Sequence, residues 1–194
     1  MSTEFLWFAT RAAGVVSLVL LTAIVALGVV TRLRVQSPSW PRFASAALHR
    51  NLSLLAVVFL GLHIVTAVVD PFTSLGLTPV IVPFGSSYRT FWLGLGTVAF
   101  ELILAVVVTS LLRARVGVRA WRLVHWLAYA AWPVAVLHEL GTGTDAFKPW
   151  LAALTVGCIA LVAVAVGWRL RAAPPDPLRG ARRWAAQRHR VGQS

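Results

Sequence analysis

HRNLSLLAVVFLGLH, residues 49–63, and HWLAYAAWPVAVLH, residues 125–138, decide how this chain folds. Each is an apolar run closed at both ends by histidine, and the histidines are fourteen residues apart in the first and thirteen in the second. At about 1.5 Å of rise per residue, a helix carries such a pair roughly 20 Å apart, one histidine near either face of a hydrocarbon layer about 30 Å thick.

The rest of the chain supports a membrane reading. Hydrophobic residues make up 58% of the 194 and charged residues 12%, far from the balance of a water-soluble domain. The length suits about five spanning helices in one bundle: residues 1–170 read as a single membrane domain and 171–194 as a basic tail. The net charge of +12 is spread in short runs between and after apolar segments, the pattern of headgroup contact and membrane orientation, so nucleic acid is not an expected partner. The only cysteine, Cys158, sits inside an apolar run and reads as a small core residue, which excludes a disulfide framework and a CxxC site.

From the two histidine runs outward, five helices follow. The uncharged run Ala12 to Val30 is the first, too long for a signal-peptide core and without a basic leader. A loop with Pro38 and Pro41 leads to the second, Ala44 to Val69, which Asp70-Pro71 ends. Residues 71–89 hold three prolines around a short apolar centre, Leu75 to Phe84, expected as an interfacial cap. The third helix is Thr90 to Leu112, the fourth Ala120 to Leu140, and the fifth Pro149 to Trp168, with Pro149 suited to a first turn. The tail turns on Pro174, Pro175 and Pro177 and then becomes basic, as a segment lying on a membrane surface does.

Orientation comes from the arginines and lysines. With the N-terminus outside and the C-terminus in the cytoplasm, fifteen fall on the inner side and three, Arg11, Arg89 and Lys148, on the outer side. Helices two and four then run the same way, so His49 and His125 share the inner level and His63 and His138 the outer. Two facing imidazoles can supply both axial ligands of a haem iron, and four at two depths suggest two haems held between helices two and four. Phase tests this. Fourteen residues fall some 40° short of whole turns, so His49 and His63 share a face. Thirteen fall about 140° short, so His125 and His138 share one only if the helix departs from regular geometry, expected near Trp132 and Pro133.

Around these ligands, Arg50 and Arg122, and less so Arg119, are candidates for contacts to inner haem propionates, and Arg89 and Lys148 for the outer. Glu101, an ionisable group in the middle of helix three, is a candidate for a proton or quinone role, with a hydrogen-bonded protonated carboxyl as the simpler reading. Trp132, between the two levels, reads as packing, and His189 as a solvated tail residue.

This order of helices, with HxxxxxxxxxxxxxH at His49 and His63 and HxxxxxxxxxxxxH at His125 and His138, resembles the ferric reductase-like transmembrane domain superfamily over residues 5–170. That superfamily includes the membrane haem parts of ferric reductases and NADPH oxidases and of the methionine sulfoxide reductase system. The resemblance implies a cell-membrane b-type cytochrome with two non-covalent haems, passing electrons across the bilayer. Larger members begin with an additional helix, and many continue into a flavin and nicotinamide domain. The tail is too short for such a domain and has no GxGxxG, so the expected donor is a separate flavoprotein, a bound flavin or a membrane quinol, and the acceptor ferric iron or an outer-face reductase. Two readings from other classes stand beside it: a transition-metal channel or carrier using the same histidines, and a non-catalytic scaffold recruiting partners through its basic tail.

Overall fold

The computed structural model describes residues 3–32, 42–71 and 75–171, and within these the chain is helical, with no strand. The elements are α1 (Thr3–Arg32), α2 (Arg42–Val69), α3 (Thr78–Ile81), α4 (Thr90–Leu111), α5 (Arg113–His125), α6 (Leu127–Thr142) and α7 (Pro149–Arg171). Arg34 and the basic tail lie outside the described residues.

Among the described residues, four helices are long and apolar enough to cross a membrane: α1 over Glu4–Val29, α2 over Phe43–Val69, α4 and α7. This is a multi-pass membrane protein. The fourth of the five expected helices is divided into α5 and α6, and α6 has 16 residues, fewer than the roughly 20 that a span needs. The first helix begins at Thr3, nine residues before the expected Ala12, because Arg11 is carried within it without ending it. The apolar centre of residues 71–89 forms the single turn α3, started by Pro79 and pinned when the Thr97 hydroxyl of α4 donates to the Pro79 carbonyl.

The expected departure from α-geometry is present but lies at Trp126, where α5 meets α6, and not at Trp132 and Pro133. Trp126 N–H reaches the Leu123 carbonyl at 3.2 Å and Tyr129 N–H the Trp126 carbonyl at 3.0 Å. These are i to i−3 bonds, and Trp126 at φ −65°, ψ −23° has the dihedrals that go with them. Winding at about 120° per residue in place of about 100° recovers part of the missing phase between His125 and His138. Pro133 stays inside α6, where its missing N–H removes one hydrogen bond without dividing the helix.

The core is where α1, α6 and α7 meet: Leu18 and Val25, Trp132 and Val136, Cys158 and Val162. Trp132 is its polar key, its indole N–H donating to the Thr22 hydroxyl at 2.9 Å while Thr22 donates to the Leu18 carbonyl. Trp132 and Cys158 are thus packing residues, as their sequence positions suggested. α1 runs along α2, α4 runs along α6, and α1 also touches α6 and α7. α2 is the least covered of the spans: no residue in its most apolar window is buried, whereas every other span buries some. One of its faces looks into a large internal space.

Candidate functional site: two histidine pairs on one cavity

That space is a cavity of about 1050 Å³ lined by all four membrane histidines, with walls from α1, α2, α4, α5 and α6. His49 faces His125 with ring centroids 6.3 Å apart, and His63 faces His138, also at 6.3 Å. The pairing is the one that depth alone suggested, and it is across the cavity, from α2 to α5 and from α2 to α6.

What positions the rings was not visible in the sequence reading. His63 Nδ1 is 2.8 Å from the Thr10 carbonyl of α1, and His138 Nδ1 is 2.9 Å from the Trp92 carbonyl of α4. In each case the residue four further along the acceptor helix is glycine. A Cβ on Gly14 would stand 2.9 Å from His63 Nδ1, and one on Gly96 would stand 2.5 Å from His138 Cε1. A helical carbonyl that already accepts its own i+4 N–H keeps a second lone pair, and glycine at i+4 opens the approach to it. The same arrangement recurs at Ile24 and Gly28, fourteen residues after Thr10 and Gly14. There His49 approaches the Ile24 carbonyl, but its Nδ1 does not close a hydrogen bond of ordinary geometry, and a Cβ on Gly28 would meet the ring at a normal 3.8 Å. His125 Nδ1 is buried without a partner.

Nδ1–H donation to a carbonyl fixes the tautomer, leaving Nε2 with its lone pair free. His63 and His138 are therefore each held as a donor on one side, with a lone pair free on the other. No group of three or more histidine, cysteine or acidic side chains converges among the described residues, so each level offers a metal two imidazoles and no third protein ligand.

The cations are distributed differently from the sequence reading. Arg50 and Arg122 line the cavity as expected, and Arg113 and Arg169 join them at the same end; Arg119 does not line it. At the other end, Arg89 donates to the Gly141 carbonyl and Lys148 pairs with Asp145, and the cation on the cavity wall is Arg11. Arg11 is held by the Thr144 hydroxyl at 3.1 Å and by Asp145 at 3.6 Å. The Lys148 hydrogen bond, with Arg11 beside it, keeps the Asp145 carboxyl below the usual carboxylate range. Glu139, which the sequence reading passed over, lines the cavity next to His138; its Oε2 accepts from Thr155 at 3.4 Å and its buried Oε1 has no partner. Glu101 is exposed on the side of α4 that does not line the cavity.

A bundle of apolar helices around a cavity with two facing pairs of histidines defines a class, helical multi-pass membrane proteins. The family described as ferric reductase like transmembrane component matches residues 13–136, well over half of the chain, and the chain belongs to it. The match contains His49, His63 and His125 and ends two residues before His138. Neither a curated protein nor a solved structure matches the chain.

Proposed function

We propose that this protein is a dihaem b-type cytochrome that conducts electrons through the bilayer, with His49 and His125 as axial ligands at the inner level and His63 and His138 at the outer. The observation that carries the reading is the matched 6.3 Å separation of both ring pairs. Imidazole–metal bonds are generally about 2 Å long and a ring centre lies about 1.1 Å behind its nitrogen, so two rings on one iron have centroids about 6 Å apart. Among the described residues no three histidine, cysteine or acidic side chains converge, so each level would offer a haem iron its two imidazoles, and a bare zinc or copper ion no more than these two. This argues against the metal channel. The cavity is also at the upper limit of the roughly 300–1,000 Å³ that serves a single drug-sized ligand.

Haem iron in this setting supplies reversible one-electron redox chemistry, and the protein supplies position and environment. Thr10 and Trp92 orient the outer rings through their carbonyls, and Gly14 and Gly96 leave the width for them. Arg50, Arg113, Arg122 and Arg169 at one end, and Arg11 at the other, are the side chains available to propionates. The positive-inside count supports a cytoplasmic tail, an outer N-terminus and a cell-membrane location. Electrons then enter from a separate flavoprotein, a bound flavin or a membrane quinol and leave at the outer level to ferric iron or a partner reductase. Glu101 is exposed on α4, and a quinol arriving through lipid would meet it there.

The test is a reduced-minus-oxidised spectrum of purified protein together with its haem content. Two haems per chain, falling to one in both His49→Ala and His63→Ala, is the expected result. Colourless protein after expression with ample haem, or pigment undiminished in the double variant His63→Ala/His138→Ala, overturns it. For Glu101, replacement by Gln should slow reduction by quinol with the spectrum unchanged.

A further inference from the structure

Three of the four histidines approach a carbonyl whose i+4 neighbour is glycine: Thr10 with Gly14, Ile24 with Gly28, and Trp92 with Gly96. The fourteen-residue step that relates the first two cradles also leads along α4 from Trp92 and Gly96 to Val106 and Ser110, on the same cavity. This fourth position is not a cradle. Ser110 has a side chain where the others have none, and its hydroxyl donates to the Val106 carbonyl at 2.6 Å, taking the acceptor that a histidine would use. His125, the ligand left over, has no hydrogen bond on its buried Nδ1.

A different device is built there. The Trp121 ring lies 5.0 Å from that of His125 at an interplanar angle of 33°. The Trp121 indole N–H donates to the same Ser110 hydroxyl at 3.2 Å, and the Arg113 guanidinium lies 4.3 Å from the indole centroid. The backbone makes this possible at Gly117, whose φ of 80° and ψ of 158° interrupt α5 between Arg113 and Trp121 in a region that is essentially closed to other residues. Ser110 thus both closes the carbonyl route and anchors the indole that replaces it. Cation–π attraction from Arg113 holds the far side of the assembly.

We infer that Trp121, fixed by Ser110 and Arg113, is the positioning residue for His125 at the inner haem site, in place of the carbonyl and glycine that hold His63 and His138 through Nδ1. The inference rests on the dihaem reading and concerns one ligand of it. A ring held by stacking is restrained in tilt but free to slide and to change tautomer, whereas one held through Nδ1 is fixed in both. The inner site therefore depends on Trp121 and the outer site does not.

Haem content and low-temperature electron paramagnetic resonance of the oxidised protein test this, with His125→Ala assigning the inner signal. Trp121→Leu should lower content from two haems per chain toward one, sparing the outer signal, and Trp121→Phe should restore both haems by keeping a flat ring. Ser110→Ala, which removes only the hydroxyl that anchors the indole, should move the inner signal alone. The retained outer signal also serves as the check that the bundle has folded. Should Trp121→Leu fail to fold, an inner signal unmoved in Ser110→Ala overturns the proposal. Two haems with both signals unchanged in Trp121→Leu overturn it while leaving the dihaem reading intact. A wild-type protein without haem removes the dihaem reading and this inference with it.

Discussion

The glycines of α1 and α4 show how much function can rest on an absent side chain. Gly14, Gly28 and Gly96 look alike in sequence, but their surroundings predict different outcomes for one substitution. Alanine at Gly96 puts a Cβ 2.5–3.0 Å from three atoms of the His138 ring, and at Gly14 it puts one 2.9–3.0 Å from two atoms of His63. Both rings are tethered through Nδ1 to a carbonyl one turn before the glycine on the same helix, so moving the ring away from the added carbon breaks the hydrogen bond that orients it. Gly14→Ala and Gly96→Ala should therefore lose the outer haem selectively, measured as a fall from two haems per chain to one. At Gly28 the added carbon would lie at van der Waals distance, and Gly28→Ala should keep both. The four histidines could be found from spacing because two runs of similar length each end in the same residue type. The cradles were harder to see, since glycine in a membrane helix has many uses in close packing. One signal was available: Gly14 and Gly28 repeat the fourteen-residue step of His49 and His63.

Among the elements, the bounds of α2, α4 and α7 were legible because proline, aspartate or a charged residue stands at their ends. α2 ends at Val69, α4 begins at Thr90 and α7 begins at Pro149, each as expected. The division between α5 and α6 was misplaced because Pro133 attracts attention and His125-Trp126-Leu127 contains no breaker. Phase required a distortion somewhere between His125 and His138, and tertiary contacts chose the place: Trp126 packs against Tyr129 with Arg169 of α7 over both rings. Regular α6 beyond it delivers Trp132 to the core, where it is the lock between α1, α6 and α7. Trp132→Phe removes its bond to Thr22, and because Thr22 remains bonded to Leu18, the cost should be about 1 kcal/mol. Trp132→Ala also empties the centre of the core and should cost about 3–5 kcal/mol. Thermal unfolding in detergent, followed by circular dichroism, would rank the two. Neither residue lines the cavity, so the folded Trp132→Phe protein should retain its full haem spectrum.

At the scale of the whole molecule, the chain places its two ends of charge and its one thiol so that orientation can be read directly. Cys158 is buried in the core and supplies little background for labelling. Cysteine introduced at Thr144 should react with a membrane-impermeant maleimide from outside intact cells, and one at Val116 only after the membrane is opened; the reverse pattern would invert the proposed topology. The same view explains why α2 is the least buried of the spans although it runs along α1. A helix with no buried residue along its apolar window gains little from packing on protein, apart from its seam with α1. What lies on its inner face is the cavity, and a ligand filling that cavity would bridge α2 to α5 and α6 through the histidine pairs. Binding to the folded state alone stabilises it in proportion to the logarithm of ligand concentration over Kd, about 4 kcal/mol at a thousandfold excess. Protein produced under haem starvation should therefore unfold at a lower temperature than the loaded form. Its loss of protection from hydrogen exchange should be concentrated in α2, with the core of α1, α6 and α7 least changed. Equal loosening of all helices would mean that the bundle is held by its core alone and that α2 does not depend on what the histidines grip.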